Sequence, residues 1–463
     1  MSNFPGTVDA DRISVFASPD DLSSAGKAMR ARVERASHAQ WKPDASRLDP
    51  IEILRAADEQ RLPNLVPIRY GRMLRSPFAF YRGTAGVMAA DLAKTPTSGI
   101  RVQSCGDCHL SNFGGFATPE RNIVFDINDF DETLPAPWEW DVKRLVTSFV
   151  LAVRNNHLSD EVARATALAF AGNYRQAMRR FSQLSPLELW YQRIRDGDFL
   201  DMIDNAKIRS QVAQNIKKQT EKHGHDAAYP KLAQVIAGEI RIRDNPPLIF
   251  HPEESRAPDF VPLVTQMMKE YRETLPDDRR VLFDRYRFVD AAIKVVGVGS
   301  VGTRCWVALL MSPSNSPLFL QFKQANRSVL EPYAGKSAYD HQGQRVVMGQ
   351  RLMQAASDIF LGWVTGPNAE FYVRQLRDAK ISPLIETFDE NMFRAYANAC
   401  GQNLARAHTK TGNAWTISGY LGKSDEFDEA IADFAFAYAD QAETDYDTLK
   451  EAVRTGRVDA YVE

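Results

Sequence analysis

Hydrophobic residues recur at helical spacing over most of the chain. Apolar side chains at positions i, i+3, i+4 and i+7 predict helices over residues 50–61, 139–155, 343–359, 391–408 and 425–453. The same spacing follows Pro77 up to about residue 94, and it dominates from residue 156 to about 273. The bulk of the protein is therefore predicted to be helical.

One region has a different pattern. From residue 288 the chain becomes rich in Val and Gly, with alternating or continuous apolar residues that predict three strands joined by a glycine turn and an SPSNSP turn. Residues 123–127 and 370–376 predict further strands. We therefore expect an α+β chain in four segments: a partly disordered or peripheral arm at 1–45, a helical unit at 46–284, a small β unit at 285–378, and helices at 379–463 that complete the helical unit.

Composition narrows the class of protein. The 463 residues are 44% hydrophobic and 25% charged, as in soluble globular proteins, and the formal net charge of −2 provides no basic field for nucleic acid. No apolar run approaches the roughly 20 residues of a membrane span, and the first residues lack the pattern of a secretory signal. Four cysteines do not form a disulfide framework in so long a chain. The expectation is a cytoplasmic protein with no nucleic-acid partner and no membrane span.

Acidic residues crowd the stretch from residue 105 to residue 141, around a glycine-rich turn and one short strand. Asp107 and Asn112 are five positions apart, and Asp129 follows Asn112 by seventeen positions, at the end of the strand. Phosphotransferases need an Asp that accepts or orients a hydroxyl proton, and an Asn and a second Asp whose oxygens hold magnesium. The alternative is a solvated acidic loop that precedes the helix 139–155.

A glycine-rich sequence, GVGSVG, contributes Gly297, Gly299, Ser300 and Gly302. A dinucleotide site would need a helix next and an acidic residue about 20 positions on, whereas here a strand follows. A loop whose backbone amides cover phosphate oxygens fits the pattern better. Lys323 ends the third strand, where a kinase places the lysine that contacts the α- and β-phosphates; the alternative is a surface lysine.

Kinases pair that lysine with a glutamate on the next helix. Glu331 is the nearest candidate, although Pro332 follows it and disfavours a helix interior. Gln350, in the predicted helix 343–359, is the alternative partner.

The motif GDCHLSN…FDINDFDETLPAPWEWDVKRL resembles the catalytic segment of aminoglycoside phosphotransferases and related small-molecule kinases. Transferred by position, the resemblance implies that Asp107 is the catalytic base and that Asn112 and Asp129 are the metal ligands, with ATP and Mg²⁺ as cofactors. It also implies that Asp141, twelve positions beyond Asp129, is a buried residue that braces the catalytic loop.

The chain departs from the family pattern at Cys105, where the family has a histidine. His109 is a structural or substrate-side residue under this resemblance. Asp126 and Asp131 receive no assigned role.

The order of the motifs is reversed relative to an ordinary kinase, because the catalytic segment precedes the glycine-rich loop. The helix 391–408, which ends in NLARAH, resembles the helix that runs into the catalytic loop of small-molecule kinases. These features imply a circularly permuted, two-lobed, protein-kinase-like fold. The motifs RSPFAFYRG, GDCHLSNFG, FDINDFDE, VVGVGSVGTR and FAYADQAETDY also resemble a bacterial family of unknown function grouped with the kinase-like proteins.

Three other features carry candidate chemistry. Arg75 and Arg82 flank SPFAFY and could bind a phosphate or an anionic substrate, or could lie on a solvated helix face. Residues 105–109 match the haem attachment pattern C-x-x-C-H, which requires export of the protein. Cys305 and Cys400 are isolated, which favours buried apolar positions over a zinc site.

The function expected from these features is ATP- and magnesium-dependent phosphoryl transfer to a hydroxyl of an unidentified acceptor, either a small molecule or a protein. Two alternatives use the same pocket. One is a nucleotide-binding pseudokinase with a regulatory or scaffold role, and the other is transfer of AMP.

Overall fold

The structure is a computed structural model that describes residues 17–203, 205–222, 229, 232–236, 239–246, 248–295, 297, 299, 301–376 and 381–461. It has the mixed α+β fold that the hydrophobic pattern predicts. The helices of the first half are α1 Pro19–Met29, α2 Pro50–Asp58, α3 Val66–Met73, α4 Pro77–Tyr81, α5 Ala85–Leu92, α6 Trp138–Asn155, α7 Asp160–Phe181, α8 Pro186–Trp190, α9 Asp196–Asp201 and α10 Ala206–Lys222. Those of the second half are α11 Phe260–Glu273, α12 Asp277–Phe283, α13 Glu331–Ala334, α14 Gln342–Met353, α15 Glu390–Thr409, α16 Ala414–Leu421 and α17 Glu426–Arg454.

The strands of the described residues fall into one large and three small antiparallel sheets. They are β1 Arg101–Ser104, β2 Phe113–Ala117, β3 Ile123–Ile127, β4 Leu134–Pro137, β5 Ile194–Arg195, β6 Ala233–Ile236, β7 Glu239–Ile242, β8 Ile249–Phe250, β9 Arg287–Lys294, β10 Cys305–Met311, β11 Pro317–Gln324, β12 Gly362–Thr365 and β13 Glu370–Gln375. The large sheet has the order β12-β13-β11-β10-β9-β8, and the small ones are β1-β4, β2-β3-β5 and β6-β7.

The large sheet is buried on both faces, which explains the continuous apolar runs of β10 and β11. Every residue of β11 is buried, and Lys323 pairs in register with Cys305 on β10 and with Tyr372 on β13. The core on one face includes Tyr271 of α11, and β8 adds a strand next to β9. The sheet thus also draws on chain that precedes residue 285, where the sequence predicts the small unit to start.

The helical unit is built around α6, whose residues 138–153 are all buried. Helices α7, α15 and α17 pack around it through apolar and small side chains. Gly401 allows α15 to cross α7 closely, because a Cβ at that position would lie 2.7 Å from the Phe170 carbonyl oxygen. Helix α1, within the predicted arm, packs against α16, so the helical unit is formed from both ends of the chain.

Two predicted elements differ from the observed ones. The helix predicted over 343–359 ends at Met353, because the Ala355 amide donates to the buried Asp126 carboxylate instead of continuing the helix. The stretch predicted as mainly helical after residue 156 also contains the β6–β7 hairpin and strands β5 and β8. Among the residues described, no helix is both long enough and apolar enough to cross a bilayer.

Candidate functional site

A cleft of about 680 Å³ lies between the large sheet and the helical unit. The predicted site residues that line it are Arg82, Asp107, His109, Asn112, Asp129, Gly297, Gly299, Lys323 and Gln350. Four other predicted residues are not among those lining the cleft, namely Arg75, Asp141, Gly302 and Glu331. Ser300 lies outside the described residues. The cleft therefore brings together motifs that are far apart in the sequence.

Asp107 stands in the turn between β1 and β2. Arg144 of α6 donates from Nε (2.8 Å) and from a terminal nitrogen (2.6 Å) to the same oxygen, Asp107 Oδ1. The second oxygen, Oδ2, faces the cleft and receives no hydrogen bond from the residues described; His109 Nε2 is 3.9 Å from it. One carboxylate oxygen is held in place while the other remains accessible to a ligand.

The backbone around Asp107 is held by hydrogen bonds to the Asp141 carboxylate of α6. Asp141, at the start of α6, accepts hydrogen bonds from the amides of Cys105 (2.7 Å) and Gly106 (3.0 Å) and contacts His408 Nε2 at 3.2 Å. Gly106 has φ +82°, and a Cβ there would lie 2.4 Å from the Glu132 carbonyl oxygen. The turn therefore requires glycine at this position, and Asp141 fixes its two amides.

Asn112 closes the other end of the turn. Its Nδ2 donates to the Asp107 carbonyl oxygen at 2.8 Å, and the Asn112 carbonyl accepts from the Asn128 amide at 2.7 Å. The turn that carries Asp107 is thereby linked to the loop that carries Asp129.

Lys323 reaches across the cleft to that loop. Its Nζ is 3.7 Å from Asp129 Oδ2 and forms an ion pair with Asp131, which also accepts from the Tyr372 hydroxyl at 2.8 Å. Burial and the neighbouring Asp131 charge raise the pKa of Asp129. Burial opposes ionisation of Asp131, but Lys323 and Tyr372 outweigh it and lower the pKa of that carboxyl. Burial lowers the pKa of Lys323, but the two aspartates raise it overall, so the ammonium stays charged.

The expected glutamate partner of Lys323 is not the one found. Among the residues described, Lys323 pairs with Asp129 and Asp131, and Glu331 makes no ion pair with it. Glu331 opens the four-residue helix α13, where Pro332 limits the helix, and its Oε1 is buried. Gln350 does line the cleft, and its Nε2 donates to Gln354 at 2.9 Å.

Helix α14 connects to the Asp129 loop through an arginine instead. Arg345 is buried and donates to the carbonyl oxygens of Asp131 (2.8 Å), Thr133 (2.7 Å) and Asn326 (2.8 Å). Gly349 permits the close contact, because a Cβ there would lie 2.3 Å from Thr133 Cγ2. The helix thus positions the acidic loop through backbone contacts.

The glycine-rich loop is held from outside the sheet. Arg61, just after α2, donates to the carbonyl oxygens of Gly299 (3.0 Å) and Val301, and the Leu62 amide donates to the Gly302 carbonyl at 2.7 Å. Gly302 has φ +91°, which favours glycine, while Val301 packs in a small apolar cluster with Leu65. The chain before residue 105 therefore positions the described part of the loop.

Two cationic or titratable groups lie beside Asp107. Burial, together with Arg82 and Arg144, lowers the pKa of His109 well below its ordinary value, so its imidazole is neutral. Burial lowers the pKa of Arg82, whereas the charges of Asp107 and Glu386 raise it. Arg75, by contrast, is exposed.

Asp126 lies behind the site. It is fully buried and accepts from Arg406 of α15 at 2.6 Å and from the Ala355 amide at 2.7 Å. These contacts join three parts of the chain, which is a structural role.

The cysteines of the C-x-x-C-H pattern are packed inside the protein. Cys105 and Cys108 are free thiols with no exposed surface, and the Cys105 Sγ donates to the Asp129 carbonyl at 3.3 Å. Cys305 and Cys400 are also buried and free. No group of three or more His, Cys, Asp or Glu side chains placed to hold a metal occurs in the described part of the chain.

Sequence reasoning missed several residues of the site, namely Arg61, Arg144, Arg345 and Arg374, and assigned no role to Asp131. Arg374 lines the cleft. Burial lowers the pKa of Arg374, but Tyr372, Asp129 and Asp131 outweigh that effect and raise it overall. One signal was available for Arg144: it lies three positions after Asp141 on a helix of apolar residues, where an arginine needs a buried anionic partner. The other arginines stand in segments whose neighbours are set by long-range contacts.

The fold and the cleft define a class of α+β protein. In its cleft, the loop of Asp107 and the loop of Asp129 and Asp131 lie opposite Lys323 and a glycine-rich loop. The chain belongs to the DUF2252 family, described as an uncharacterized protein conserved in bacteria, whose profile matches residues 61–452. Neither a curated protein nor a solved structure matches the chain.

Proposed function

We propose that the protein is an ATP- and magnesium-dependent phosphotransferase that acts on a hydroxyl group. The observation that carries the proposal is the meeting of Lys323 with Asp129 across the cleft, with Nζ and Oδ2 3.7 Å apart. Asp107 and Asn112 line the same cleft, joined by the 2.8 Å hydrogen bond from Asn112 Nδ2. A base, two oxygen ligands and a phosphate-binding lysine are the groups that such transfer needs.

We propose further that the fold is a circularly permuted, two-lobed kinase-like fold. Support comes from the end of α15, because Thr411 Oγ1 accepts from the Gln103 amide at 2.8 Å, two residues before Cys105. Tyr396 of α15 also donates to the Leu110 carbonyl at 3.0 Å. The end of helix α15 therefore lies beside the chain that enters the Asp107 turn, and this contact supports the proposed permutation.

The residues present fit a nucleotide with magnesium. Asp129 and Asn112 provide the hard oxygen donors that magnesium prefers, and two protein ligands suffice when phosphates and waters supply the rest. Gln350 leaves a buried Oε1 without a hydrogen-bond partner among the described residues of the cleft. Lys323, Arg374 and the amides of the glycine-rich loop would face the phosphates. When bound, the nucleotide and metal would supply the transferable phosphoryl group and neutralise its charge.

The chain's own residues divide the remaining work. Arg144 holds Asp107 Oδ1, so Oδ2 is presented to the cleft as the acceptor for a hydroxyl proton. Asp141 keeps the turn rigid, and catalysis would rest mainly on positioning and charge. Neutral His109 adds no charge beside the base.

A nucleotide-binding pseudokinase is the second candidate, favoured by the two hydrogen bonds that Arg144 donates to Asp107 Oδ1. A carboxylate with one oxygen held by a buried guanidinium has the arrangement of a structural ion pair, which needs no phosphoryl transfer. The same pocket would then bind nucleotide in a regulatory or scaffold role.

The test combines binding and mass spectrometry on the full chain. Wild type should bind ATP with Mg²⁺ and, with a panel of hydroxyl compounds and proteins, yield products heavier by one phosphoryl group. Asp107→Asn should reduce transfer by about 10²–10⁴-fold with nucleotide affinity nearly unchanged. Asp440→Asn, an exposed aspartate on α17, is the matched control.

The outcomes separate the candidates. Binding without any transfer favours the pseudokinase, and products heavier by AMP favour adenylyl transfer. Full activity in Asp107→Asn, or no nucleotide binding by wild type, would reject the phosphotransferase proposal.

A further inference from the structure

The side of the cleft next to the large sheet and the side next to Asp107 differ in how completely their cationic side chains are paired with carboxylates. Toward the sheet, the cations Lys323 and Arg374 face the carboxylates of Asp129 and Asp131. On the Asp107 side, Arg144 neutralises the base, which leaves Arg82 without an ion pair among the described residues.

Arg82 follows α4, and its guanidinium lies over the Phe78 ring, 5.9 Å from the centroid. Its Nε is buried and has no hydrogen-bond partner among the described residues. Glu386 lines the same cleft and attracts the guanidinium, but the two form no ion pair. Because a guanidinium cannot lose its charge in a protein, a partly buried one with an unused donor is best satisfied by an anionic ligand.

This cation is close to the reacting position. The side chains of Arg82 and Asp107 line the same cleft, and the Asp107 charge acts on the Arg82 guanidinium. The Arg82 backbone lies on the same side, since a Cβ built at Gly299 would be 3.4 Å from the Arg82 carbonyl oxygen and 3.8 Å from Asp107 Oδ2. A hydroxyl compound at Oδ2 would therefore extend beside Arg82.

We infer that the acceptor carries an oxyanion, a phosphate or a carboxylate, near its reactive hydroxyl, and that Arg82 binds that oxyanion. Its role as an acceptor rests on the proposed function. In the transfer, the acceptor oxygen bonds to the γ-phosphorus, the bond to ADP breaks, and the hydroxyl proton passes to Asp107. A polycationic acceptor of the aminoglycoside type would be repelled by Arg82. The oxyanion could also be the terminal phosphate of the nucleotide, so the test must separate these two sources.

The experiment uses a matched pair of probes, glycerol 3-phosphate and glycerol, which differ only in the phosphate. Binding to the full chain is measured by calorimetry and ³¹P NMR, with and without a saturating non-hydrolysable ATP analogue and Mg²⁺. We expect glycerol 3-phosphate to bind at least about 10-fold more tightly than glycerol, with the nucleotide site filled. Arg82→Gln should remove this preference and change analogue affinity less than about 2-fold, and Arg82→Lys should keep part of it. Arg55→Gln, at an exposed arginine of α2, is the control.

Equal binding of the two probes by wild type would overturn the inference. So would a loss of analogue affinity in Arg82→Gln with the phosphate preference intact, because Arg82 would then serve the nucleotide. If Arg82→Gln does not fold, the inference is tested by two measurements: the preference of wild type for glycerol 3-phosphate over glycerol, and the smaller preference expected for Arg82→Lys. Failure of wild type to bind the analogue rejects the proposed function. In that case, the relative affinities for glycerol 3-phosphate and glycerol, measured without nucleotide, still test whether Arg82 forms an anion site.

Discussion

The two walls of the cleft are held in different ways. The catalytic wall, residues 105–112 and 129–133, is fixed by buried side chains of α6, α14 and α15, including Asp141, Arg345 and Tyr396. The glycine wall, described at residues 297, 299, 301 and 302, is exposed at Gly297, and at these residues Arg61 and Leu62 tie it to the helical unit. The wall that would carry the chemistry is therefore preorganised by buried side chains, and the described part of the wall that would cover the phosphates is held through its backbone carbonyl groups.

The largest effect should follow from removing the anchor of the catalytic wall. Asp141→Ala leaves the buried amides of Cys105 and Gly106 without these acceptors and removes the partner of His408 Nε2. We expect the free energy of unfolding to fall by about 3–5 kcal/mol, measured by denaturant titration. The exposed control Asp440→Ala should change it by less than about 1 kcal/mol. A loss below about 1 kcal/mol for Asp141→Ala would mean that the catalytic wall does not depend on this anchor.

A smaller effect on the free energy of unfolding is expected from Glu132, a carboxyl group of the same wall with a raised pKa. Burial raises the pKa of Glu132 from 4.5 to about 7, despite a hydrogen bond from the Val329 amide. The folded state therefore binds a proton that the unfolded state has released, and the stability present below pH 4.5 is lost as pH rises through 7. Glu132→Gln keeps the acceptor oxygen and should flatten the pH dependence of the unfolding free energy by about 1–3 kcal/mol between pH 4.5 and 8. Parallel curves for the two proteins would contradict the raised pKa.

The smallest effect on stability, but a specific one on the nucleotide, should come from the glycine wall. Arg61→Ala removes the donors to Gly299 and Val301, whereas the Leu62 amide still holds Gly302. We expect affinity for ATP with Mg²⁺ to fall about 3–10-fold, with transfer at saturating ATP nearly unchanged. Calorimetry and steady-state kinetics measure the two quantities, with Arg55→Ala as the control on α2. A fall in transfer at saturating ATP, with affinity unchanged, would place Arg61 on the catalytic side of the comparison.

The helices and strands were predictable where one period dominates. The structure has helices at Trp138–Asn155, Glu390–Thr409 and Glu426–Arg454, close to the predicted ranges, because each buries a continuous apolar stripe. The end of α14 was not predictable, because it depends on the distant carboxylate of Asp126. The β6–β7 hairpin was missed because short apolar runs do not separate strand from helix.

For the candidate site, local sequence spacing predicts the elements that carry the acidic residues, whereas tertiary contacts decide which charged side chains meet. Sequence spacing predicts that Asp107 and Asn112 share one turn, that Asp129 follows a strand and that Asp141 lies at a helix start, because each of these elements forms within its own stretch of chain.

The sequence by itself therefore determined the helices with a continuous apolar stripe, the main strands, and the acidic and glycine-rich segments that carry candidate chemistry. Only the tertiary structure decided that Lys323 meets Asp129 and Asp131, that Arg144 holds Asp107, and that Arg82 remains without an ion pair among the described residues. The physical reason is the range of the interactions. Backbone period and burial are encoded within one or two turns of chain, whereas an ion pair depends on which distant segments folding brings within about 4 Å of each other.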